Sequence, residues 1–181
     1  ITSGVYDTGS PQFTPDGKTV IFGSGPRVPE AEYIWRESDI YALDMATGNV
    51  TQLTKRKGPD GQPVISPDGK LIAYTGYDYT NDAWVDSKLY VMNIDGSNSR
   101  MLTASLDRTP SGLMWAHDNS GVYFNVQSEG SQNLHFASLK GDVRQVTKGQ
   151  HMLSVADINA AGLAVGTRTT AMQPGDIVTF N

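Results

Sequence analysis

Two stretches of the chain concentrate side chains able to bind or to do chemistry. Between Gly23 and Ser38 stand Glu30, Glu32, Tyr33, Trp35, Arg36 and Glu37; between Gly76 and Ser87 stand Tyr77, Asp78, Tyr79, Asp82, Trp84 and Asp86. Carboxylates set among aromatic rings suit three tasks: holding a substrate amine, forming a partner surface, or ligating a hard cation through Asp78, Asp82 and Asp86. The cation reading is the weakest, because Ca²⁺ needs about 6–8 oxygens held in one place. Candidate contacts to substrate or partner are therefore Glu30, Glu32, Tyr33, Trp35, Arg36, Tyr77, Tyr79 and Trp84.

No motif for covalent or metal-assisted catalysis accompanies them. The chain has no Gly-x-Ser-x-Gly elbow, no His-Glu-x-x-His, no Walker loop and no Gly-x-Gly-x-x-Gly. His117, His135 and His151 read as structural, since the 181 residues contain no cysteine and show no third ligand set. "NIDGSN" (Asn93 to Asn98) lacks the glutamate of a calcium loop and reads as a turn. No catalytic residue, metal or cofactor is expected. Net charge is −5 with 14 basic residues and no basic run, which argues against nucleic acid. No apolar run reaches the ~20 residues of a membrane-spanning helix, so no membrane partner is expected. The absence of cysteine suits a bacterial envelope protein and a cytoplasmic one alike.

What positions these stretches is a repeat. "TPDGKTVIF" begins at Thr14, "SPDGKLIAY" at Ser66 and "AHDNSGVYF" at Ala116. A second alternating strand follows each ("SDIYALDM", "SKLYVMNI", "NLHFASL"), then a turn with Gly or Asn. Each unit closes on a pair: Leu53-Thr54, Leu102-Thr103, Val146-Thr147. Proline presets φ, aspartate bonds its own backbone and glycine accepts positive φ, so Pro-Asp-Gly is turn chemistry. The strands behind it alternate with period two. With 19 glycines and 9 prolines, the chain reads as all-β. Four antiparallel strands in ~40–50 residues is the size of a propeller blade. The expectation is a partial β-propeller of WD40-like or TolB-like blades over residues 10–54, 61–103 and 111–147, with an incomplete blade over 152–181.

In a four-stranded meander the first and third connections share one end of the blade, and the second connection and the blade link share the other. Here the first set is terse and the second is long in the first two units. Both chemically rich stretches are second connections, so they are expected on one elaborated face, where function tends to reside.

"SPDGKLIAY…KLYVMNIDGSNSRMLT" resembles the blades of prolyl oligopeptidase-family (S9) serine peptidases and of TolB-type propellers. The long second connections and the "Leu-Asp-Arg…Trp-x-x-Asp" stretch from Leu106 to Asp118 tilt the resemblance towards dipeptidyl- and acylaminoacyl-peptidase-like members. The third unit departs from the pattern, with His117-Asp118-Asn119 in place of Pro-Asp-Gly. The resemblance implies a propeller that gates and positions short peptides for a C-terminal α/β-hydrolase domain in cis, with the serine machinery in that domain. It covers Ser10 to Thr147 well and carries over no substrate-binding residue. The alternative is a TolB-like protein-binding propeller; a lyase-like propeller with a channel site is weaker, since no paired carboxylates stand out. Three blades and part of a fourth do not close a ring, so exposed end faces and self-association are expected.

Overall fold

The computed structural model describes residues 6–28 and 33–181; Glu30 and Glu32 lie outside the described residues. Among the described residues, fifteen strands carry the fold. Blade 1 comprises β1 (Thr8–Phe13), β2 (Thr19–Ser24), β3 (Asp39–Asp44) and β4 (Val50–Gln52). Blade 2 comprises β5 (Asp60–Ile65), β6 (Leu71–Gly76), β7 (Lys88–Asn93) and β8 (Arg100–Met101). Blade 3 comprises β9 (Pro110–Trp115), β10 (Gly121–Ser128), β11 (Ser131–Ser138) and β12 (Val143–Gln145). Blade 4 has β13 (Met152–Ile158), β14 (Ala164–Thr170) and β15 (Gln173–Phe180). Within each blade the strands pair antiparallel in chain order. A parallel pair, Gln132 with Met152, joins blade 3 to blade 4. A similar parallel bridge joins Ser38 to Pro59 between blades 1 and 2. The fold is an all-β partial propeller.

The repeated residues explain the repeated geometry. In the first turn Thr14 donates its hydroxyl to Asp16 Oδ1 at 2.6 Å, and Ser66 does the same to Asp68 at 2.7 Å. Gly17 and Gly69 then take φ of 69° and 71°, and Asn119 holds the same place in blade 3 at 59°. Asparagine tolerates the left-handed region better than most residues, so His-Asp-Asn makes the same turn. Asn119 also accepts the Asp68 backbone N–H at 3.1 Å, tying the turn of blade 3 to that of blade 2. Each of the first three inner strands carries a bulge at Ser10, Gln62 or Gly112, all with positive φ and all four residues before the aligned Thr14, Ser66 or Ala116.

The core lies between blades, because each sheet presents alternate residues to its two neighbours. Ile21, Ile40, Ala42 and Leu53 of blade 1 meet Ile72, Tyr74, Tyr90 and Met92 of blade 2. Ala73, Leu89, Val91 and Leu102 of blade 2 meet Trp115, Val122, Phe124 and Val126 of blade 3. A smaller cluster around Leu134, Leu153, Val155 and Ala164 joins blade 3 to blade 4. One face of each of the first three blades carries a stacked ring pair: Phe22–Tyr41 at 5.7 Å, Tyr74–Tyr90 at 5.3 Å and Phe124–His135 at 5.8 Å. Burying each large apolar side chain contributes about 1.5–3 kcal/mol, so these interfaces, more than any single sheet, hold the array together.

Candidate binding face

The long second connections emerge where β2 hands over to β3 and β6 to β7, and they lie across from each other on neighbouring blades. Arg36 joins them. Its guanidinium donates to the Asp82 carbonyl at 2.7 Å and the Ala83 carbonyl at 3.3 Å, and rests 4.4 Å from the centre of the Trp35 ring. Arg36 itself takes a φ of 55°. Trp35 and the segment leading into Trp84 are thus held together by one cation. The rings around it stay in water: Tyr33 is 81% exposed, Trp35 74% and Trp84 80%. Tyr77 and Tyr79 are half-buried, with Lys57 4.5 Å above the Tyr79 ring. The third tryptophan, Trp115, is buried and donates its indole N–H to the Val64 carbonyl at 2.8 Å.

The carboxylates nearby are spent separately. Asp78 pairs with Arg56 at 3.3 Å, Asp86 accepts the Thr109 hydroxyl at 3.0 Å, and Glu37 accepts the Gly58 N–H at 2.9 Å. His117 stands in a turn, His135 stacks on Phe124 and His151 precedes β13. Among the described residues no three His, Asp or Glu side chains converge as a metal site.

Beneath the loops lies a group that the repeat pattern does not announce. Asp60, at the start of β5, has no exposed surface, and it pairs with Arg56. Arg56 lies 4.3 Å over the Tyr90 ring and also donates to the Tyr90 hydroxyl. Asp39, 4% exposed, accepts the Thr54 hydroxyl at 2.9 Å and the Gln52 amide at 2.8 Å. Burial pushes the Asp60 carboxyl up to about 6; Arg56 pulls it down, and Asp39 adds to the rise. Burial likewise raises Asp39 and takes the Tyr74 hydroxyl to about 12. Among the described residues the second Asp60 oxygen and the Ser24 hydroxyl are buried without a hydrogen-bond partner. Asp60 borders a cleft of about 560 Å³ between blades 1 and 2, with Arg56, Tyr74 and Tyr90. It also borders a shallower hollow of about 340 Å³ with Asp7, Ser24 and Ser38. The signal for this cluster was a charged link, "KRKGPDG", but its partners are 22 to 34 residues distant.

Taken together, the geometry defines a partial β-propeller with one face of tight turns and, on blades 1 and 2, an opposite face of tethered, aromatic-rich loops. No family model matches the chain. Among curated proteins it is 28% identical over 140 residues to the Tol-Pal system protein TolB of Francisella tularensis, covering 75% of this chain and 28% of that protein. It is also 28% identical over 169 residues to the dipeptidyl-peptidase 5 of Porphyromonas endodontalis, covering 91% of this chain and 24% of the peptidase. The chain therefore spans about a quarter of the length of the curated relatives it matches. Among solved structures, the β-propeller domain of the Trilobed protease from Pyrococcus furiosus superposes with a TM-score of 0.71 at 22% identity, over 96% of this chain and 49% of that domain. The homologues thus include both S9-type peptidase propellers and TolB propellers, the two kinds of blade that the sequence resembles.

Proposed function

We propose that this chain is the non-catalytic propeller portion of an S9-type serine peptidase, whose loop face positions short peptides for an α/β-hydrolase domain in cis. The observation that carries this reading is the Arg36 tether. Loops without a ligand have little need to be fixed to each other, and fixing them lowers the ordering cost of binding. Exposed Tyr33, Trp35 and Trp84 offer flat apolar area to an extended peptide. Dipeptidyl-peptidase 5 among the relatives supports a peptide as the ligand. Self-association of the chain through its outermost blade belongs to the same reading. The TolB relatives favour a second reading, in which the same face binds a folded protein.

Tryptophan fluorescence separates the two, because Trp35 and Trp84 are exposed and Trp115 is buried. Short peptides are expected to quench the red-shifted component saturably, and Trp35→Ala with Trp84→Ala to abolish the change. A chain silent to peptides that still captures intact TolB-partner-like proteins on that face would move the function to the second reading.

A further inference from the structure

The link from blade 1 to blade 2 lies between the roots of the two aromatic loops and is bonded to both. Its centre is Gly58. The Gly58 N–H donates to the Glu37 carboxylate at 2.9 Å, near the end of the first loop. Further along, the Asp60 N–H donates to the Ser38 carbonyl at 2.7 Å, and the Ser38 hydroxyl donates to the Asp60 carbonyl at 3.0 Å. The second loop runs along the other side of the link. The Tyr79 N–H donates to the Lys57 carbonyl at 2.9 Å and the Tyr77 N–H to the Pro59 carbonyl at 3.3 Å. Lys57 over the Tyr79 ring and Arg56 on Asp78 add side-chain contacts to the same seam.

Two glycines make room for this approach. Gly58 takes a φ of 126°, and a side chain there would run into the Tyr77 carbonyl and stand 2.8 Å from the Tyr79 nitrogen. At Gly76, where the second loop begins, a side chain would strike the Asp60 carboxylate and the Arg56 guanidinium and meet the Pro59 carbonyl at 2.7 Å. Gly17 and Gly48 also have positive φ, yet a side chain at either would meet nothing within 4 Å. Those two serve a turn, whereas Gly58 serves a close backbone contact that a side chain would block.

We propose that the Arg56–Asp60 link is the positioning element of the binding face, with Gly58 the residue on which both loops are set. A single tether at Arg36 leaves the loops free to swing about it. A second attachment at their roots fixes the angle between Trp35 and Trp84 as well as their spacing. A ligand that spans both rings then meets them already placed, and less ordering is left to binding. The inference deepens the loop-face reading and rests on it; the link residues act through the loops and are not themselves ligand contacts.

The test has two readouts, one of them free of ligand. Glu37→Ala releases the first loop alone, at a side chain outside the buried core. Amide hydrogen exchange followed by NMR is expected to quicken at Gly58 and, across the link, at Tyr77 and Tyr79, while Val91, fully buried in β7, keeps its protection. Glu37→Gln keeps an acceptor oxygen and is expected to restore the native rates. Gly58→Ala is expected to release both loops, and Gly48→Ala, also at positive φ but free of contacts, neither. In peptide titrations read by tryptophan fluorescence, Glu37→Ala and Gly58→Ala are expected to bind roughly fivefold or more weakly, with Glu37→Gln close to native. Native exchange at Tyr77 and Tyr79 in both variants, or native peptide affinity in Gly58→Ala, would overturn the proposal. A native chain that binds no peptide fails the loop-face reading instead, and the exchange rates then decide the role of the link.

Discussion

At the scale of single residues, Asp60 makes the sharpest claim. Its carboxyl titrates near 6 in the folded chain because burial opposes its charge, against 3.8 for an ordinary aspartate. Between those values the folded state binds a proton that the unfolded state does not. The stability this adds is complete below about pH 4 and is lost as the pH rises through about 6. A shift of this size corresponds to about 3 kcal/mol. The turn aspartates run the other way: hydroxyl partners hold Asp16 and Asp68 below the usual carboxylate range, so what they contribute is lost on acidification. The clean measurement is thus a difference. Urea unfolding of the native chain and of Asp60→Asn from pH 4 to 7.5 is expected to show the native chain losing about 3 kcal/mol relative to the variant. Parallel pH profiles would mean that Arg56 holds Asp60 ionised throughout. The same residue marks where the sequence stops being legible. Pro59-Asp60-Gly61 matches the tripeptide of both blade turns, yet it opens a strand. What pins Asp16 and Asp68 in their turns is a hydroxyl two residues earlier, Thr14 or Ser66; two residues before Asp60 stands Gly58. Its side-chain partner is Arg56, four residues earlier in the same link, while its backbone bonds Ser38 at the edge of the neighbouring sheet, 22 residues away, which local sequence does not disclose.

At the scale of elements, the closing pair explains why strands of two or three residues persist. Thr103 is fully buried and its hydroxyl accepts the Leu89 N–H at 2.8 Å. Thr103→Val keeps the shape and removes the acceptor, leaving a buried donor unsatisfied at a cost of about 1–3 kcal/mol. Denaturant titration is expected to show a lower midpoint with unchanged slope. Thr51→Val, on the exposed outer strand β4, is expected to change stability by no more than about 0.5 kcal/mol. Equal effects would remove the hydroxyl from the explanation and leave only packing. This layer was legible in the sequence, because a geometry that recurs leaves recurring residues: the Pro-Asp-Gly turns, the alternating strands and the Leu-Thr endings all mark their places. So did the division into a terse face and an elaborated one, which follows from antiparallel order alone. The Arg36 tether did not show, since Arg36 bonds two backbone carbonyls more than 40 residues away, and carbonyls carry no sequence signature.

At the scale of the whole molecule, the consequence of stacking blades is that each interface is a local contract between two faces. Blade 4 presents Val165 and Ile177 where blades 1 and 2 present Ile21 with Ile40 and Ala73 with Leu89. The first pair is 36% and 81% exposed; the other four residues are all at 0%. At the opposite end, Phe13 of blade 1 is 59% exposed beside an apolar hollow of about 320 Å³ lined by Val20, Phe22 and Leu43. Those last three residues share positions with Ile72, Tyr74 and Met92, which blade 1 itself covers in blade 2. The two ends therefore present the two halves of one repeated interface, which the self-association proposed above would bring together about a two-fold axis. Few side chains are involved, each gaining about 1.5–3 kcal/mol, against an association cost of at least about 4 kcal/mol. The proposed self-association should accordingly be weak. Sedimentation velocity is expected to show a weight-average mass rising from monomer towards dimer as concentration increases into the hundred-micromolar range. Because the contact is apolar, salt should leave the rise intact, and Ile177→Asp should suppress it. A chain that stays monomeric throughout, or a variant that associates as well as the parent, would show that the end faces of this propeller do not recognise each other.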